Sequence, residues 1–154
     1  MKALTIWQHW AALIMAQAKP YEFRRYPAPQ SLIGQRIVIH AGKRPPKREE
    51  ILEMLEALCT TGEGYGLYAR IAQPLLAHWS DYPQSLMLGV GLGTAKLGPS
   101  TRAIDLIRDG EVDGDPLRAD PAVWGWQMQA IKPFDAPVPM RGAQGFWNWP
   151  EVAR

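Results

Sequence analysis

Fourteen prolines and fourteen glycines divide these 154 residues into short segments. Proline removes a backbone donor and fixes φ, whereas glycine releases φ, so each interrupts regular structure in its own way. Punctuation this dense disfavours a helical bundle and favours a small barrel with inserted helices. With 47% hydrophobic and 21% charged residues, the chain reads as one domain over 1–154, with enough apolar material for its own core. It contains no internal repeat and no low-complexity tract.

Between the breaks the periodicity is legible. Ala3 to Trp7 reads as a short strand, and Trp10, Leu13 and Ile14 then fall at helical spacing. That helix must stop near Ala18, because Pro20 drives Lys19 out of the α region. Glu22 to Tyr26 reads as extended, and Arg36 to His40 as a buried β-branched strand. A second helix opens after Pro45-Pro46, with Glu49 and Glu50 in its first turn and Ile51, Met54, Leu55 and Leu58 as its apolar face. Residues 64–79 predict one or two short helices broken at Pro74. Leu86 to Leu97 predicts a glycine-dotted strand, with Ser100-Thr101 in the loop beyond it. Trp124 to Met128 predicts a strand that Pro133 ends, and Phe146 to Trp149 a last short strand. The fold class expected from this order is α+β, an open β-barrel with helices inserted near the N-terminus.

The formal charge of +2 conceals a split: residues 1–48 carry nine basic side chains and one acidic one, Glu22, for +8, and the remainder carries −6. A locally positive segment on a nearly neutral chain points to an anionic partner. The single cysteine, Cys59, allows no intrachain disulfide and no cysteine zinc cluster, and is expected to be a buried spectator on its helix. Gln8 and His9 interrupt the first apolar stretch, so it does not read as a secretory signal. No segment reaches the length of a membrane span, and a cytoplasmic location is the expectation.

Lys19-Pro20-Tyr21-Glu22-Phe23-Arg24 is the densest chemical signal. On a strand, Glu22 and Arg24 project to one face, with Lys19 at the preceding turn. Such a set can grip a phosphate through Arg, accept a base-edge proton through Glu, or place an amine beside a carbonyl. It can equally be a surface ion-pair cluster. Trp7 and Trp10 flank it and are the stacking candidates, while most of the seven tryptophans are expected in packing. Lys43-Arg44-x-x-Lys47-Arg48 is either a solvated helix start or a phosphate-contacting rim. The acidic run from Asp109 to Asp120 superficially follows a calcium loop, but Pro116 and a terminal Asp speak for an ordinary acidic loop. His9, His40 and His78 show no metal spacing, and His40 reads as a satisfied structural histidine.

Lys19-x-x-Glu22-x-Arg24 resembles the G-x-K-x-x-E-x-R signature of ASCH domains, a branch of the PUA-like superfamily. Further similar segments follow in the family's order. They are Trp7-Gln8-His9-Trp10, Gly34 to Ala41, Asp81-Tyr82-Pro83, Trp124-Gly125-Trp126, and Pro137 to Trp147 with Gly142 and Gly145. Two positions depart from the pattern: Gln17 replaces the signature's glycine at the helix-to-strand turn, and His9 replaces the usual proline. The resemblance implies a PUA-like barrel with a cleft lined by the Lys-Glu-Arg motif, in a family proposed to bind RNA. Its amidohydrolase branch carries a lysine and a threonine in this motif, paired with a distant glutamate, and Glu22 occupies the threonine's place, which argues against carrying that activity over directly.

The expected function is therefore binding of RNA or other single-stranded nucleic acid, or of a nucleotide or modified nucleoside. The expected contacts are Trp7, Gln8, Trp10, Lys19, Glu22, Arg24, Lys43 and Arg44. The alternative is a ribonuclease or modified-nucleoside hydrolase working through Lys19 and Glu22 in the same cleft, and a second alternative is a protein-interaction scaffold. No cofactor, metal or membrane enters any of these expectations.

Overall fold

The computed structural model describes residues 1–61, 64–112 and 120–151. The elements run β1 (Lys2–Ile6), α1 (Trp10–Met15), β2 (Tyr21–Arg24), β3 (Arg36–Ala41), α2 (Arg48–Thr61), α3 (Ala69–Asp81), β4 (Val90–Arg102), α4 (Ala103–Arg108), β5 (Trp124–Pro139) and β6 (Phe146–Asn148). Six strands form one mixed sheet in the order β2-β5-β4-β3-β1-β6, curled into an open half-barrel, and the fold is α+β. Among the described residues only the β1–β3 pair is parallel, with Leu4 beside Ile39 and Thr5 beside His40.

The two-residue period of the central strands divides their side chains between two cores. Leu4, Ile6, Ile37, Ile39 and Ala41 face the main core with Ile14 and Trp126, whereas Ala3 and Val38 face the opposite side under Trp149. Helix α1 joins the sheet to the helical layer: Ala11 and Ile14 pack on the sheet, and Leu13 packs with Ile51, Met54, Leu58, Leu76 and Trp79 of α2 and α3.

Several elements differ from the sequence-based expectations. Helix α3 runs through Pro74 unbroken. The proline forfeits a single helical hydrogen bond, while Ala72, Leu76 and Trp79 on one face are buried against α2. Strand β5 runs past Pro133 to Pro139 because β2 occupies its second edge only from Trp124 to Gln127. The prolines lie beyond that pairing, and the ladder to β4 is irregular at Gly91/Gly93, so no sheet donor is sacrificed at a doubly paired position. Strand β4 begins at Val90 and continues through Ser100 and Thr101 into α4, a helix absent from the expectation. Cys59 is exposed, since the buried stripe of α2 is Ile51, Met54 and Leu58 and position 59 turns outward. The centre of the acidic run, 113–119, lies outside the described residues.

No helix among the described residues is long and apolar enough to cross a membrane.

Candidate functional site

The turn leading into β2 fixes the motif. Ala18 N–H donates to Leu13 O at 2.9 Å and Gln17 N–H to Ile14 O at 2.9 Å, the paired bonds of a Schellman ending. The residue between them must be left-handed, and Gln17 has φ +59°. The turn is thus kept without glycine, and it delivers Lys19 to the start of β2.

In β2, Tyr21 and Phe23 turn to a small cluster with Leu106 and Val112, and Glu22 and Arg24 turn the other way, opposite Trp126 and Trp124 of β5. Gly125 between those tryptophans leaves room for Leu106, whose Cδ1 a Cβ there would approach to 2.6 Å. Lys19 is only 4% exposed, and its ammonium donates to Tyr21 O at 2.6 Å and to Glu22 Oε2 at 2.8 Å. It also lies 5.7 Å from the Trp10 ring centroid and 5.4 Å from that of Phe23, within cation–π range. Arg24 Nε donates to Glu22 Oε1 at 3.2 Å, its Nη2 donates to Thr5 O at 3.4 Å, and its guanidinium lies 5.8 Å from the Trp126 ring centroid. Each oxygen of Glu22 is therefore held by a different cation.

Glu22 and Arg24 open onto a cleft of about 360 Å³ at the end of β1, walled by Trp7, Trp10 and Phe23 and closed by Gln144 and Gly145. Lys19 stands behind the carboxylate and is not part of the cleft lining. Trp7 is 56% exposed. The Arg44 guanidinium lies 4.0 Å from the Trp7 ring centroid, and Arg44 Nη2 is 3.7 Å from Glu50 Oε1. Arg44 and Glu50 line a separate hollow that Trp7 and Trp10 share with the cleft.

The structure thus brings Trp7, Trp10, Glu22 and Arg24 together in one lining, with Lys19 as support. It does not bring Gln8, Lys43 or Arg44 into that lining. Gln8 is buried, donating to Met87 O at 2.9 Å and accepting the Ala12 N–H at 3.0 Å. That arrangement satisfies an otherwise unpaired donor at the start of α1. Thr5, Gln144 and Gly145 complete the cleft, and sequence reasoning missed the first two because no motif singled them out.

His9 and His40 are both buried. His9 Nε2 lies 2.9 Å from Met54 Sδ, and burial pushes its pKa down to about 4. His40 Nε2 meets Met140 O at 2.8 Å and Nδ1 meets Thr5 Oγ1 at 3.2 Å, which also accepts from Trp147 Nε1 at 3.0 Å. With Nε2–H donating to the carbonyl, Nδ1 accepts the Thr5 hydroxyl proton, a satisfied structural role. Burial lowers the His40 pKa, and the bond to Met140 opposes the shift. Among the described residues no group of three or more His, Cys, Asp or Glu side chains could hold a metal ion.

No family model matches the sequence, and no curated protein matches it significantly. Solved structures do match. The crystal structure of the ASCH protein of Zymomonas mobilis superimposes with a TM-score of 0.54 at 13% identity, covering 99% of this chain and 89% of that one. Its serine-to-alanine mutant matches with a TM-score of 0.53 at 14% identity over 99% and 89% of the two chains. Its tyrosine-to-phenylalanine mutant matches with a TM-score of 0.53 at 13% identity over 99% and 91%. The likeness establishes the ASCH fold for this chain, as the order of its motifs implied.

Proposed function

We propose that this chain, built on the fold of ASCH domain proteins, binds single-stranded RNA or a nucleotide by taking one unstacked base into the Trp7–Trp10–Glu22–Arg24 cleft. The observation that carries this reading is the combination of aromatic walls with a fixed carboxylate–guanidinium pair at the polar side. Bases splayed out of a strand are recognised by stacking on aromatic rings and by hydrogen bonds to their polar edges. Glu22 accepts from a ring or exocyclic N–H. Arg24 has five N–H donors, of which Glu22 and Thr5 O engage two, and it donates to a ring carbonyl. Lys19 and Arg24 fix the orientation of the carboxylate before a ligand arrives, which lowers the ordering cost of binding.

The geometry favours binding over nucleophilic hydrolysis. The Lys19 ammonium is engaged by Tyr21 O and Glu22 behind the cleft, where it positions the carboxylate and does not face a ligand. Incubation with RNA, single-stranded DNA and a panel of modified nucleosides, followed for both retention and new products, tests the reading. Retention without products, weakened in Glu22→Gln and Arg24→Ala, is the expected result. Products formed by the wild type and abolished in Glu22→Gln would establish the hydrolase instead. Unchanged retention in both variants at low salt would defeat the cleft as the binding site.

A further inference from the structure

Lys43 and Arg44 are adjacent in sequence but serve different surfaces. Arg44 stacks behind Trp7, whereas Lys43 lines a second groove of about 500 Å³ together with Arg141, Gly142 and Ala143. The two cavities are separate but have one lining residue in common. Thr5 lines both, and the loop supplying Arg141 to Ala143 on one side supplies Gln144 and Gly145 to the cleft on the other.

The backbone positions that precede the two basic residues of the groove are joined through one residue, Gly89. Gly89 N–H donates to Gly42 O at 3.3 Å, and Gly89 O accepts Met140 N–H at 3.1 Å. Lys43 and Arg141 are the residues immediately following the two joined positions. Gly89 is left-handed, φ +65°, and a Cβ built there would come within 3.2 Å of Lys43 Cγ, so the lysine stem lies against the bare backbone. Gly142 permits the same closeness on the other side, since a Cβ there would lie 2.5 Å from His40 Cε1 and 2.8 Å from Thr5 Oγ1. Neither Lys43 nor Arg141 has a carboxylate within ion-pair distance among the described residues, and no acidic side chain lines the groove. His40 at its base is committed to Met140 and Thr5. Two basic side chains that rise from a fixed backbone beside small residues, with no acidic side chain in the lining, suit a compact anion.

We infer that the Lys43–Arg141 groove is a phosphate subsite, holding a backbone phosphate of the strand whose base occupies the neighbouring cleft. The inference rests on the base-binding reading above. It adds a direction to it: the strand passes over Thr5, from the aromatic walls toward the 141–143 loop. The ligand is then an oligonucleotide or a nucleotide, and a bare nucleoside fills the cleft alone.

Fluorescence anisotropy with a short single-stranded RNA of mixed sequence, titrated over a range of salt, tests this. Both side chains are exposed, so Lys43→Ala/Arg141→Ala retains the fold, which its circular dichroism and melting profile check. The expected result is a loss of roughly tenfold in affinity at low salt, with the slope of log K against log salt shallower by about 0.7 for each phosphate contact removed. Trp7→Ala is the companion variant and loses affinity with its salt slope unchanged. If Trp7→Ala and Glu22→Gln weaken binding while the double variant changes neither affinity nor slope, the phosphate subsite is wrong and the cleft stands. If the double variant weakens binding while Trp7→Ala and Glu22→Gln do not, the base-binding cleft is wrong, and with it the strand path between the two cavities.

Discussion

Lys19 Nζ and Glu22 Oε2 lie 2.8 Å apart with both side chains almost fully removed from solvent. A buried charge left wholly uncompensated costs about 3–5 kcal/mol, and Lys19→Met, which leaves Glu22 with Arg24 as its remaining cation, falls at or below the lower end of that range. The loss of unfolding free energy is read by urea titration near neutral pH. Replacing both, Lys19→Met with Glu22→Leu, is expected to recover much of the loss while leaving the cleft without its acceptor. Recovery of stability without recovery of RNA retention separates the structural work of the pair from its part in recognition.

Trp7 presents the most exposed aromatic surface of the cleft, so its removal touches the ligand more than the fold. Trp7→Ala is expected to weaken RNA binding by about 1–3 kcal/mol, the usual worth of a base–aromatic stack. Stability should change by no more than about 1 kcal/mol, chiefly from the lost Arg44 contact. Equilibrium binding and a thermal melt on the same preparation check both halves.

Gln17 is exposed and sits at φ +59°, where a side chain costs roughly 1–2 kcal/mol relative to the right-handed regions. Gln17→Gly removes that cost and adds about 0.5–1 kcal/mol of chain entropy to the unfolded state. The net expectation is a gain of about 0.5–1 kcal/mol, or some 1–4 °C in melting temperature for a chain of this size. Scanning calorimetry decides the sign.

His9 is buried, and its pKa falls from 6.5 to about 4 on folding. The unfolded chain thus takes up a proton as pH drops through about 6.5, and the folded chain resists until about 4. Stability is undiminished above the upper value and declines through that interval, by about 3 kcal/mol for a shift of this size. His40, also lowered by burial, acts in the same direction. Urea titrations at successive pH values should show the decline, and His9→Leu should flatten it.

The central strands and α2 were legible because their burial follows local periodicity: Ile37 to Ile39 is apolar on both faces and packs between two cores. Elements set by their partners were not. Pro74 and Pro133 look like breaks in one dimension, and only the burial of α3 and the unpaired second edge of β5 show why the backbone continues. The motif announced Glu22 and Arg24 as neighbours on one face, and their ion pair is the outcome. Local sequence could not place Lys19 behind the carboxylate, bury Gln8 under Met87, or send Lys43 and Arg44 to different cavities. Those arrangements depend on residues distant in the chain, among them Met87, Gly89 and Met140.

The position of β6 has a consequence for the order in which the molecule assembles. It hydrogen-bonds to β1, and the loop that precedes it forms one wall of the cleft and one bank of the neighbouring groove. A chain interrupted at residue 139 would carry the whole Lys-Glu-Arg motif, both flanking tryptophans and strands β1 to β5, yet would lack one wall of the cleft and one bank of the groove. Both surfaces are thus completed only when the 140–145 segment joins them, well after the residues of the motif have been made.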